Sequence, residues 1–91
     1  MALMHCKSDA EETMEQELKR LVDASVKESG CLKYELYQHK AQRCHYVLLE
    51  EWLNEDALQR HKESPHYKQF NRIAPVLLES PVEIIMLTRL V

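Results

Sequence analysis

The chain has 91 residues, of which 45% are hydrophobic and 30% are charged, with a net charge of −3 and a single glycine. These proportions are typical of one small globular domain that spans residues 1–91. The single glycine excludes dinucleotide-binding and phosphate-binding loops, because each of those loops needs at least two glycines. The nearly balanced charge argues against nucleic acid and against an anionic membrane as partners.

The three cysteines indicate a reducing compartment. Cys6, Cys31 and Cys44 are odd in number, so they cannot all pair, and no two of them form a C-x-x-C motif. The N-terminus lacks the apolar segment of a secretory signal, and no stretch approaches the roughly 18 apolar residues of a membrane span. We therefore expect a cytoplasmic protein with free thiols.

The first half of the chain predicts a strand, a helix and a second strand. Residues 2–6 alternate weakly and predict a short first strand. Ser8 and Glu11 match a capping box, which predicts the start of a helix. We expect Gly30 to end that helix in a left-handed conformation. Residues 31–38 then alternate and predict a second strand.

The second half predicts a strand, an interrupted helix and a last strand. Residues 45–52 form the third predicted strand, and Asn54 is expected to cap a helix that runs through Lys62. Ser64 and Pro65 predict that the helix restarts, with serine as the cap and proline at the first position, and that it extends to about Ala74. Residues 82–90 predict the last strand.

This order of elements predicts an α+β ferredoxin-like fold, βαββαβ, with a four-stranded antiparallel sheet and both helices on one face. The third and last predicted strands carry apolar side chains on both faces; in the third, Val47 and Leu49 alternate with Leu48 and Trp52. Because the helices can cover only one face, we expect a second copy of the chain to cover the other. The strands therefore predict a homodimer through the sheet face.

His61 is the candidate for chemistry that the sequence singles out. It lies on the apolar, sheet-facing side of the second helix, at helical spacing from Ala57 and Leu58. There it is either a proton-transfer group that works near neutral pH or a core histidine bonded to a backbone carbonyl. The residues nearby that are candidates for binding a substrate are Trp52, Asn54, His66, Tyr67 and Phe70.

The spacing of the polar residues does not predict a metal site. His61 and His66 are five residues apart across a Ser-Pro break, and no carboxylate has the spacing to complete a ligand set. No serine lies in a nucleophile elbow. If the chain is an enzyme, the remaining chemistry is proton transfer by a histidine in an apolar cavity.

Four segments of the sequence resemble the antibiotic biosynthesis monooxygenase (ABM) family. They are GCLKYELY at 30–37, YVLLEEW at 46–52, ALQRH at 57–61 and SPHY at 64–67. The resemblance covers about residues 18–90. It implies a dimeric α/β barrel with a cavity between sheet and helices in each subunit, and oxidation of a quinol or polyphenol by O₂ without a cofactor or metal.

The resemblance also implies roles for individual residues. His61 would take the proton of the substrate's hydroxyl group, and Trp52 would form a wall of the cavity. His66 and Tyr67 would line its mouth, and Asn54 lies near a polar position that some members use. Since the family includes other activities, a small-molecule isomerase and a non-catalytic ligand-binding dimer stay open as alternatives.

Overall fold

The computed structural model describes residues 1–91 as four strands and three helices. In chain order they are β1 (Ala2–His5), α1 (Glu11–Ser25), β2 (Cys31–Gln38), β3 (His45–Trp52), α2 (Glu55–Lys62), α3 (Pro65–Leu77) and β4 (Glu83–Ile84). The predicted βαββαβ order is confirmed, with the second helical segment divided into α2 and α3. None of the three helices has the length and apolar character needed to cross a lipid bilayer.

The strands form one antiparallel sheet in the order β2-β3-β1-β4, which is the ferredoxin-like arrangement. In β3, Tyr46 and Leu48 are buried under the helices, whereas Val47 and Leu49 lie on the opposite face. The same alternation buries Met4 of β1, which is paired with Tyr46. The face assignment made from the alternating pattern is therefore confirmed.

The hydrophobic core lies between this covered face of the sheet and the helices. Helix α1 buries one side chain per turn, because its apolar residues recur at helical spacing. Helix α3 buries its own apolar stripe against α1. The large side chains of this core are Met14, Leu18, Leu21, Tyr34, Tyr46, Leu48, Phe70 and Leu77.

The predicted starts of α2 and α3 are confirmed by side-chain caps. The Asn54 side chain accepts a hydrogen bond from the backbone N–H of Ala57 at 2.8 Å, and the Ser64 hydroxyl accepts one from Tyr67 N–H at 3.3 Å. Each cap satisfies an amide that has no partner inside the helix. Helix α3 continues to Leu77, past the predicted end near Ala74, with Pro75 inside its last turn.

Two expectations about α1 are wrong. The helix begins at Glu11 with Ala10 as its N-cap and no side-chain cap, so Ser8 does not form a capping box. The helix ends at Ser25, and Gly30 does not have a positive φ. Gly30 is required for another reason, since a Cβ there would collide with the Cβ of Ala57. It lets the chain after α1 lie directly against α2.

The last strand is much shorter than the predicted 82–90. The strand itself consists of Glu83 and Ile84, which lie opposite Leu3 and Ala2 of β1. The N-terminal ammonium donates to the Ile85 carbonyl at 2.9 Å, and beyond that point no neighbouring strand is available. The apolar side chains exposed in and after β4 are Ile84, Met86, Leu87, Leu90 and Val91.

Candidate functional site

His61 is fully buried in the last turn of α2, surrounded by aromatic rings. Ala57 and His61 are the buried residues of this short helix, one turn apart, so His61 is directed toward the sheet. The ring centroids of Trp52 and Tyr67 lie 4.5 and 4.9 Å from that of His61. The Tyr34 ring lies 5.4 Å away on β2. The expected position of His61 on the sheet-facing side of the helix is confirmed.

The imidazole of His61 is bonded to a carboxylate and not to a backbone carbonyl. Its Nδ1 lies 2.6 Å from Oε2 of Glu28, and Nε2 of His66 lies 2.7 Å from the same oxygen. Because an ionised carboxylate only accepts hydrogen bonds, His61 donates from Nδ1 and His66 donates from Nε2. A neutral His61 then keeps its lone pair on Nε2. This atom is buried and has no hydrogen-bond partner in the protein.

Glu28 is the site residue that the sequence did not reveal. It lies in the turn between α1 and β2, where its backbone N–H donates to Ser25 and its carbonyl accepts from Cys31. The turn reaches α2 because Gly30 has no side chain at its contact with Ala57. Glu28 is 33 residues before His61, and no periodic pattern connects the two positions.

The aromatic walls of the site are held by a second carboxylate. Glu50 of β3 accepts a hydrogen bond from the indole N–H of Trp52 at 2.9 Å, and the Trp52 ring meets Tyr34 edge to face. Burial raises the pKa of Tyr34 well above its usual value, and the nearby Glu50 carboxylate raises it further. Tyr34 therefore stays a neutral phenol at physiological pH. The walls around His61 are aromatic and uncharged.

The structure brings together four of the six candidate residues, namely Trp52, His61, His66 and Tyr67. Asn54 is exposed, and its side chain is engaged as the α2 cap. Phe70 belongs to the main hydrophobic core. The two histidines also have a carboxylate beside them, which the sequence spacing did not provide, since the fold supplies Glu28 from a distant segment.

Two surface grooves lie outside this cluster. One, of about 340 Å³, is formed by charged and polar side chains around the start of α1. The other, of about 440 Å³, lies between α1 and β2 and includes Tyr34. Neither groove includes His61, whose side chain is fully buried.

The fold and the site define a small α+β ferredoxin-like protein with a buried carboxylate–histidine pair among aromatic rings. The chain belongs to the antibiotic biosynthesis monooxygenase family, whose family model matches residues 1–73. The resemblance inferred from the four sequence segments is therefore confirmed. Membership supports a monooxygenase-like function for the chain.

Named relatives and solved structures agree with this family. YcnE of Bacillus subtilis, provisionally named a monooxygenase, is 29% identical over 92% of this chain and 88% of its own length. Rv0793 of Mycobacterium tuberculosis, also provisionally named a monooxygenase, is 35% identical over 80% of this chain and 75% of its own length. The match to uncharacterised sll1783 of Synechocystis, 32% identical, covers 69% of this chain and spans 43% of that protein.

Among solved structures, PA3566 of Pseudomonas aeruginosa superimposes with a TM-score of 0.93 at 34% sequence identity. The superposition covers 99% of this chain and 90% of that one. This similarity extends over the whole sheet and all three helices, and so includes the elements that carry His61, His66 and Trp52.

Proposed function

We propose that the chain is a cofactor-independent monooxygenase that oxidises a quinol or polyphenol with O₂. The observation that carries the proposal is the buried His61, bonded to Glu28 through Nδ1 and without a partner on Nε2. A general base needs this state, with one nitrogen held and the other free to accept a proton. The family and the names of the relatives support the reaction class.

His61 acts in this proposal as the catalytic base through Nε2. A phenolic hydroxyl that reaches Nε2 would transfer its proton there, and the Glu28 carboxylate on Nδ1 would stabilise the imidazolium that forms. The same contact holds the ring in one tautomer, as the carboxylate of a catalytic triad does for its histidine. Glu28 is therefore a positioning residue, because it acts through His61 and does not touch the substrate.

The deprotonated substrate supplies the electrons in this mechanism. A phenolate is electron-rich and can reduce O₂ directly, so that one oxygen atom enters the substrate and the other leaves as water. The electrons for both changes come from the substrate, and the reaction balances without a flavin or a metal. The aromatic walls around His61 would shield the intermediate from bulk water.

We assign substrate contact to Trp52, His66 and Tyr67. The rings of Trp52 and Tyr67 both contact the ring of His61. An aromatic substrate that reached His61 would take the place of these contacts and would pack against both aromatic rings. The His66 side chain is 22% exposed, so it lies at the solvent edge of the cluster. Asn54 and Phe70 support the site from outside, by starting α2 and by filling the core beneath α3.

Oxygen uptake by metal-free protein with a panel of quinols tests the proposal. His61→Gln should lower the rate at least about tenfold, because the base is lost. Glu28→Gln should also lower it, since an amide cannot stabilise the imidazolium. The matched control is His45→Gln on the opposite face of the sheet, which should retain the wild-type rate. Absence of uptake above the protein-free rate with every quinol would reject the oxygenase function.

The Glu28–His61 pair favours one alternative, a small-molecule isomerase, because moving a proton between two positions of a substrate needs only a held base. Turnover that continues under anaerobic conditions would select the isomerase. Binding of an aromatic ligand without turnover in either atmosphere would instead select a non-catalytic ligand-binding dimer.

We also propose that two copies associate through the open face of the sheet. Leu3, Val47 and Leu49 lie on this face, and the apolar residues after β4 are exposed as well. A second copy would cover them in an isologous contact. Light scattering at micromolar concentration should give the mass of a dimer.

A charge on the open face should separate the two copies. Val47→Asp should produce monomers, because a carboxylate is costly to bury without a partner. The control is Val76→Asp, at a position on α3 that is 70% exposed, which should leave the dimer intact. A wild-type chain that is monomeric at these concentrations would contradict the proposed association.

A further inference from the structure

We propose that Glu28, His61 and His66 form a binding site for a first-row divalent transition-metal ion, for which Zn²⁺ is the probe. Three donor atoms, Oε2 of Glu28, Nδ1 of His61 and Nε2 of His66, lie within 4.8 Å of one another. They come from the turn after α1, the last turn of α2 and the first turn of α3. Only the tertiary fold brings the three segments together.

The chemistry of the donors indicates the class of ion. Two imidazole nitrogens and one carboxylate oxygen form a three-ligand set of the kind that zinc uses where its fourth position stays open. Imidazole nitrogens favour zinc, copper, nickel and iron, whereas calcium and magnesium favour sites made of oxygen donors. The site is therefore expected to select a transition-metal ion.

Binding of an ion requires all three donor distances to adjust. Glu28 Oε2 lies 2.6 and 2.7 Å from the two nitrogens, because N–H groups now bridge them. Donors around a tetrahedral zinc ion, with bonds of about 2.0–2.1 Å, lie roughly 3.3 Å apart. The carboxylate would therefore move outward, and the two imidazole nitrogens, which lie within 4.8 Å of each other, would move together until both reach the ion. Glu28 belongs to a turn and the His66 side chain is partly exposed, so both side chains have room to adjust around the buried His61.

The partial exposure of Glu28 and His66 provides an entry route for an ion. The side chains of Glu28 and His66 are 19% and 22% exposed, whereas that of His61 is 1% exposed. An ion would enter between Glu28 and His66 and meet Nδ1 of His61 from the solvent side. The open coordination position would then face water.

Metal binding would change which nitrogen of His61 carries the proton. In the metal-free protein Nδ1 donates to Glu28, and the lone pair is on Nε2. An ion on Nδ1 needs the lone pair of that atom, so the ring proton moves to Nε2. The base that the proposed function assigns would then be blocked. This inhibition rests on the proposed function, whereas the binding of the ion does not.

Titration of metal-free protein with Zn²⁺ against a chelating indicator tests the site. The full chain should bind one equivalent, and Glu28→Gln and His66→Gln should each weaken binding at least about tenfold. His45→Gln removes an imidazole outside the cluster and should leave the affinity unchanged. Circular dichroism checks that each variant is folded. If Glu28→Gln does not fold, His66→Gln still tests the site, because the His66 side chain is partly exposed and its replacement disturbs the core less. No competition with the indicator, or wild-type affinity in both folded ligand variants, would overturn the site.

Nitrogen-15 NMR of the histidine rings tests the proton shift without any substrate. The Nε2 resonance of His61 should change from that of an unprotonated to that of a protonated nitrogen at one equivalent of Zn²⁺. A ring proton that stays on Nδ1 would overturn the proposed coordination.

The effect on activity is measured separately. Zn²⁺ should abolish oxygen uptake and EDTA should restore it, whereas uptake unchanged at saturating Zn²⁺ would overturn the inhibition. If metal-free protein shows no uptake at all, the proposed function fails, and the titration and the NMR result still decide the metal site.

Discussion

The two faces of the sheet carry the same residue types in opposite surroundings. On the covered face, Tyr46 and Leu48 lie in the core, and His61 approaches from α2. On the open face, Val47 and Leu49 have no layer above them in one copy of the chain. The difference shows that successive side chains of β3, which point to opposite faces of the sheet, have two different roles. The covered face builds the site, and the open face is available for association.

The histidines on the two faces differ in the same way. The ring of His61 is bonded through Nδ1 to the Glu28 carboxylate, 2.6 Å away. His45 stacks on His5 with ring centroids 4.1 Å apart, and His39 lies 6.1 Å from it. Loss of hydration lowers the pKa of His45, and the neighbouring imidazoles His5 and His39 lower it further. The two rings therefore have opposite kinds of partner, a carboxylate for His61 and two imidazoles for His45.

The largest effect that tests this comparison is truncation of two adjacent leucines. Leu48→Ala should lower the free energy of unfolding by about 2–5 kcal/mol, because it leaves a cavity in the core. Leu49→Ala should lower it by about 1 kcal/mol or less in dilute protein, and by more as concentration rises and the open face becomes covered. Urea unfolding at two protein concentrations measures both. Equal losses for the two variants in dilute protein would contradict the assignment of faces.

A substitution at Gly30 should have the next largest effect. Gly30→Ala should cost about 1–3 kcal/mol of unfolding free energy, because the new Cβ collides with that of Ala57. Adding Ala57→Gly should make the double variant lose less than the sum of the two single losses. The control Ser29→Ala, at an exposed neighbour, should change little. Strictly additive losses would show that the two residues do not meet, and that the turn carrying Glu28 is held in another way.

The smallest effect concerns pH and the open face. Because the pKa of His45 is lowered in the folded state, folding favours the neutral ring, and protonation costs stability. This contribution is fully present above the ordinary histidine pKa of about 6.5 and is lost as the pH falls below it. His45→Gln should therefore lose less stability than wild type between about pH 7.5 and pH 5.5. Thermal unfolding measures the difference, and identical pH profiles would contradict the lowered pKa.

Much of the fold could be predicted because its signals are local. The alternation of β3 predicted both faces of the strand, and Asn54 and Ser64 predicted two helix starts that the structure confirms. The capping box at Ser8 was wrong because a favourable motif does not compel a cap, and the chain starts α1 at Glu11 instead. The last strand was overestimated because a strand extends only as far as its neighbour does, and β1 is short.

The candidate site could be predicted only in part. His61, His66, Tyr67 and Trp52 lie close together in the sequence, so helical spacing and chain order were enough to group them. Glu28 belongs to a different segment, and its role depends on how closely the turn after α1 approaches α2. That approach depends on contacts between distant residues, which periodicity does not report.

The sequence by itself determined the order of the elements, the alternation of the third strand and the family, because these depend on neighbours along the chain. The tertiary structure decided which group His61 is bonded to, since that group is a carboxylate 33 residues away. It also decided what the single glycine does. Gly30 is needed for the close contact between the turn and α2, and that contact brings Glu28 to the two histidines.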